Sequence, residues 1–77
     1  MNDFFMQPPP PVEEKLEEKI ISVKKQRYYL LLETDWSQLS DVSQLTKNKW
    51  APYRQELRNV TLQSGFPTNI IWPIKPA

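Results

Sequence analysis

The sequence contains no cysteine and no histidine, only one glycine, and no long apolar run. Without cysteine no disulfide can staple the fold. Without cysteine or histidine a zinc site loses its usual ligands. Ser-His-Asp, Cys-His and imidazole-based acid–base chemistry are excluded. Carboxylates, lysines and tyrosines are the remaining acid–base groups. Glu13, Glu14, Glu17 and Glu18 crowd one stretch with nothing to suggest a pocket around them. So short a chain rarely encloses a ligand pocket of the usual several hundred cubic ångströms. Neither enzymatic activity nor a cofactor is expected. No transmembrane span is expected either, since one needs about 18 apolar residues in a row. The start, Met1-Asn2-Asp3, lacks the basic segment of a secretory signal, and Phe4-Phe5-Met6 is too short for its apolar core. The expectation is a soluble, intracellular protein where it is made.

Charge of one sign is lacking too. Ten basic and nine acidic side chains leave a net charge of +1, whereas nucleic-acid modules are normally strongly basic. Lys47, Lys49, Arg54 and Arg58 make one stretch locally basic, but no nucleic-acid partner is expected. What the chain has instead is hydrophobic residues at 39 % and charged residues at 25 %, a foldable balance. At 77 residues it forms one small domain with little core. Scaffolds of this size generally lean on disulfides, a metal or a partner. Association is the route left open.

Residues 1–12 read as an extended proline-rich arm, with Pro8 to Pro11 favouring a polyproline II path. Phe4, Phe5 and Met6 precede it. Three readings stand for this arm: a disordered leader, a stiff spacer carrying an apolar anchor for a partner, and a ligand for a proline-binding module. Residues 13–77 read as a single small helical domain.

Residues 12–34 read as one helix, with acidic residues early and Lys24, Lys25 and Arg27 later, in the order the helix dipole favours. Leu16, Ile20, Val23 and Leu30 form a seam at spacings 4, 3 and 7, and Tyr28, Leu31 and Leu32 broaden it. The pairs Glu13/Glu17, Glu14/Glu18 and Lys15/Lys19 carry like charges four apart, which destabilises an isolated helix. Either a solvated face tolerates this, or a neighbour offsets it through Leu16, Ile20 and Val23. A homo-oligomer through residues 16–30 is the second of these readings.

Residues 35–42 form a turn-rich connection that pins Trp36 and Leu39 against the helices. Residues 43–62 hold a second helical region, with Trp50, Tyr53, Leu57 and Val60 on one face. Pro52 predicts that the well-formed helix starts near Lys49, with Asn48 or Lys49 as cap. Arg54 and Arg58 fall on the other face, either as a solvated pair or paired with carboxylates on a partner. Gly65 reads as a helix stop with a positive φ. From about residue 66 the chain becomes a C-terminal arm. Ile70-Ile71-Trp72 has strand character that Pro73 demotes to an extended segment laid over the helices. The predicted fold class is mainly α: a two-helix hairpin with extended proline-rich N- and C-terminal arms.

From Tyr53 onward the chain reads YRQELRNVTLQSGFPTNIIWPIKP. With Trp50 before it, this resembles the W-x-x-Y-R-Q-x-L-R, G-F-P and N-[IV]-x-W-P-x-K-P pattern of the phage tail assembly chaperone family. Upstream, Arg27 to Trp36 resembles that family's R-x-x-L-L-x-x-T-D-W entry. The resemblance covers about residues 27–76. Pro52 departs from the residue the family often carries there, and residues 1–26 receive no support from it. The resemblance implies a non-enzymatic, chaperone-like assembly protein of a phage tail or tail fibre. Such a protein would bind a fibre or baseplate component in the host cytoplasm and either leave or remain in the virion. The alternative is a permanent structural or adaptor protein of the tail or baseplate without chaperone activity. The candidate partner-binding residues are Phe4, Phe5, Leu16, Ile20, Val23, Arg54, Arg58, Phe66, Ile70 and Trp72. Trp72 between prolines suits a pre-stiffened anchor or a cap on the domain's own core.

Overall fold

A computed structural model describes residues 12–77, with side chains from Lys15 onward. The proline arm, with Phe4 and Phe5, lies outside the described residues. Two α-helices form a hairpin: α1, Val12–Glu33, and α2, Gln44–Arg58. A 3-10 turn, Asp35–Gln38, starts the connection, and another, Asn59–Leu62, ends α2. The remaining chain is a turn followed by an irregular tail from Ile70 to Ala77. Among the described residues there is no strand; Ile70-Ile71-Trp72 is laid down as a segment without a strand partner. The fold is mainly α, as the periodicity predicts.

α1 runs 22 residues without glycine or proline, about 33 Å of helix. α2 begins earlier than Pro52 suggests. Ser43 is its N-cap: the Ser43 hydroxyl oxygen accepts from the Thr46 N–H at 3.2 Å. Pro52 therefore lies inside the helix. The cost is one missing backbone donor opposite the Asn48 carbonyl. Asn48 and Pro52 are both exposed, so water can satisfy that carbonyl. The Gln44 side-chain amide also donates to Asn48 Oδ1 at 2.8 Å, which ties the first turns together. Ser43→Ala is expected to cost about 1 kcal/mol. It should fray the first turn ahead of Pro52, read as faster amide exchange at Thr46 with little change at Leu57.

The core is small. Val23 of α1, Tyr53 and Leu57 of α2, and Val60 are its buried apolar residues. Tyr53, Leu57 and Val60 are three of the four residues that helical spacing puts on one face. The fourth, Trp50, is half-buried and continues the face as an aromatic chain. Its ring lies edge-on to Tyr53 at 5.9 Å and to Trp36 at 5.6 Å between centroids. Trp36 is thus held by Trp50, though half exposed, whereas Leu39 is exposed and not pinned.

Gly65 does not adopt a positive φ. Its lack of a side chain serves close approach instead. The Asn69 N–H donates to the Gly65 carbonyl at 2.7 Å, and a Cβ on Gly65 would fall 2.2 Å from the Asn69 carbonyl oxygen. The turn holds a cis Phe66–Pro67 peptide and sends the tail back across α1.

Candidate functional site

Two polar clamps and one apolar groove give this small fold its chemistry. The first clamp sits where α1 ends. A helix C-terminus leaves carbonyls without intrahelical donors. Here Arg54, from the middle of α2, adds a donor to one of them, Leu31. Its Nη1 donates to the Leu31 carbonyl and to Thr34 Oγ1, both at 2.8 Å, and its Nη2 donates to Asp35 Oδ1 at 3.0 Å. The Arg54 side chain is only 13 % exposed. It is neither a solvated residue nor turned away from the aromatic face; its planar fork is used inside the chain, a geometry lysine cannot reproduce. Thr34 is buried, and its hydroxyl lies 3.2 Å from both the Leu30 and Leu31 carbonyls. The fully buried Ser37 hydroxyl donates to the Thr34 carbonyl at 2.7 Å. Among the described residues no buried side-chain polar atom lacks a partner.

The second clamp holds the tail. The Gln63 side-chain amide donates through Nε2 to the Ile71 carbonyl, and its Oε1 accepts the Ile71 N–H, each at 2.9 Å. One amide side chain thus pairs with both backbone groups of a single residue, as a neighbouring strand would. Further on, Lys75 pairs with Glu33 at the end of α1. Both groups are about half exposed, so this ion pair is a weak tether. The hydrogen bond that Lys75 donates to Glu33, then the Glu33 charge, raises the Lys75 pKa above the ordinary 10.5. The tether's contribution is therefore present below that ordinary value and is lost only as pH climbs through the raised one. Near neutrality, salt rather than pH loosens it. Gln63→Glu keeps the acceptor and removes the donor, setting a carboxylate against the Ile71 carbonyl. The expected result is tail release at a cost of about 1 kcal/mol, seen as lost protection of the Ile71 amide with helix content unchanged.

The clamps shape the apolar surface. A cleft of about 390 Å³ separates Val23 and Gln26 of α1 from Ile70 and Trp72 of the tail. On the other side an open groove of about 810 Å³ is lined by Glu56, Gln63, Asn69, Ile71, Trp72 and Ile74. Ile71 and Ile74 are 83 % and 91 % exposed. Trp72, Ile70 and Phe66 are half-buried beside them.

The residues singled out from sequence thus separate. Phe66, Ile70 and Trp72 come together along the tail. Val23 lies buried beneath it, Ile20 is half-buried, and Leu16 is exposed near the start of α1. Arg54 is engaged within the chain, while Arg58 is exposed and donates to Gln55 Oε1 at 2.9 Å. Gln63, Ile71 and Ile74 are not among them. The signal for Ile71 and Ile74 is their spacing of three in a proline-rich stretch, since a polyproline II path returns to one face every third residue. A Gln63 pairing eight residues away has no periodic signal.

Among the described residues no group of three or more acidic, cysteine or histidine side chains could hold a metal ion. No described helix is long and apolar enough to cross a membrane. The class this defines is a small all-helical scaffold that presents a clamped, apolar tail. The family described as phage tail assembly chaperone protein matches residues 20–77, about three quarters of the chain, and the chain belongs to that family. The match takes in both clamps and the groove, and reaches seven residues further upstream than the motifs suggest. No curated protein and no solved structure matches.

Proposed function

We propose that this phage tail assembly chaperone works by docking its clamped tail and the adjoining groove onto a tail-fibre or baseplate component, without catalysis, in the host cytoplasm. The observation that carries this reading is the exposure of Ile71 and Ile74 on a backbone that Gln63 already holds in place. An ordered apolar segment loses little conformational entropy on binding. Half-buried aromatics at its flank, Trp72 and Phe66, are the residue types that dominate interfaces. Ile70 lies on the same tail, and Arg58 offers an exposed cation on α2. Val23 lines the cleft on the α1 side, facing the tail. Phe4 and Phe5, outside the described residues, would add a second apolar anchor, with Leu16 and Ile20 along the way.

The test is co-expression with each fibre and baseplate protein of the same phage. One of them is expected to become soluble and to assemble only when the chain is present. The Ile71→Asp/Ile74→Asp variant should fold and fail to support that assembly. Solubility and trimerisation unaffected by deleting the chain would sink the reading. Mass spectrometry of purified particles then tells transient binding from retention in the virion.

A further inference from the structure

α1 carries a second apolar stripe, opposite the one that faces α2 and the tail. The inward stripe includes Val23, Leu30 and Leu31, with Arg54 bonded at Leu31 and Thr34. The outward stripe is Ile21, Tyr28 and Leu32, at spacings of 7 and 4, with Lys25 between the first two. Ile21, Tyr28 and Leu32 are each more than half exposed. Tyr29 widens the stripe, its ring edge-on to Tyr28 at 5.5 Å between centroids. Such a face suits packing against another helix.

The charge pattern selects the occupant. Glu17 and Glu18 flank the stripe at its N-terminal end, and Lys24 and Lys25 follow seven residues later, about 10 Å along the axis. A second copy laid parallel would set glutamates on glutamates and lysines on lysines. Laid antiparallel about a point between Ile21 and Ser22, it sets Glu18 against Lys25 of the second copy, and Lys25 against Glu18 of the second copy. The two Ile21 side chains then meet beside the two-fold axis and are the apolar centre of the contact, while Tyr28 lies towards its rim, facing Lys15 of the second copy. The contact is self-complementary and closes on itself as a dimer. It also opposes the two helix dipoles.

We propose that the outward face of α1, centred on Ile21, is a self-association surface on which two copies pair antiparallel. This places self-association on the side of α1 away from the Leu16–Ile20–Val23 seam, because Val23 is already buried within the chain. The pairing does not depend on any tail component, and its test uses none.

Sedimentation equilibrium of the full chain, from micromolar to about 1 mM, is the measurement, since a single helix–helix contact is small and its dimer correspondingly weak. The wild type is expected to pass from monomer to dimer over that range. Glu18→Lys and Lys25→Glu each place like charges at both contacts, and each should weaken the dimer about tenfold. The double variant Glu18→Lys/Lys25→Glu should regain it, as should a mixture of the two single variants. Ile21→Ser should weaken the dimer by a route independent of charge. All three positions are exposed, and circular dichroism should report unchanged helix content. A wild type that stays monomeric throughout overturns the proposal. So do single reversals without effect, which is the parallel outcome, or a double variant that remains as weak as the single ones.

Discussion

Replacing Arg54 with alanine is expected to destabilise the protein by about 3 kcal/mol. The substitution removes three charge-assisted hydrogen bonds at once, to Leu31, Thr34 and Asp35, and such bonds contribute about 1.5–3 kcal/mol each net of competition from water. Three that share one guanidinium do not add in full, and water replaces them poorly because Arg54 and Thr34 are largely shielded from solvent. The Asp35 bond contributes least, since that carboxylate is about half exposed. A domain this size commands on the order of 5 kcal/mol in total, so the loss should leave a fraction of the chain unfolded at room temperature. The urea midpoint followed by circular dichroism is the check. Arg54→Lys should recover little, because an ammonium cannot span the Leu31 carbonyl and Asp35 together. Asp35→Asn should cost less than 1 kcal/mol. An Arg54→Ala protein within about 0.5 kcal/mol of wild type would show that the clamp is decorative.

Gly65→Ala is expected to release the tail. An alanine methyl would sit 2.2 Å from the Asn69 carbonyl oxygen, and the obstacle is backbone, which cannot rotate away as a side chain would. The turn has to open, breaking the 2.7 Å bond from Asn69 to Gly65 and moving Ile71 from Gln63. Overpacking of this kind costs about 1–3 kcal/mol. The expected signature is local: a Trp72 emission shift and rapid exchange at Ile71, with α1 and α2 intact. Gly65→Asn separates two reasons for the glycine. Asparagine tolerates a positive φ, so it would rescue a strained backbone. Here it should fail as alanine does. Preserved Ile71 protection in Gly65→Ala would refute the close-approach account.

These two residues mark the limit of what the sequence discloses. α1 is legible because its periodicity is uninterrupted, and Tyr53, Leu57 and Val60 declare the core by their spacing. Pro52 misleads about the start of α2, because a proline facing water removes a donor at modest cost and a good N-cap at Ser43 outweighs it. Gly65 is legible as special, but the reason is a distance rather than a dihedral, and distances to residues four positions on depend on the turn. Arg54 is singled out but given the wrong place and role. It follows Trp50 by four residues and so flanks the aromatic face rather than opposing it, and its long side chain reaches 23 residues back to the end of another helix. The motif halves around Thr-Asp-Trp and Tyr-Arg-Gln belong together because Arg54 and the Trp36–Trp50 contact join them. The tail is legible as extended, but not its anchorage on Gln63.

That anchorage has a further consequence. Gln63 grips Ile71 only by its peptide groups, and is therefore indifferent to the side chain that residue bears. The outward positions 71 and 74 can be rewritten freely while the ribbon that displays them stays in register. Under the docking proposed above, one scaffold would be re-targeted by two substitutions, much as a key blank takes a new cut without a new shaft.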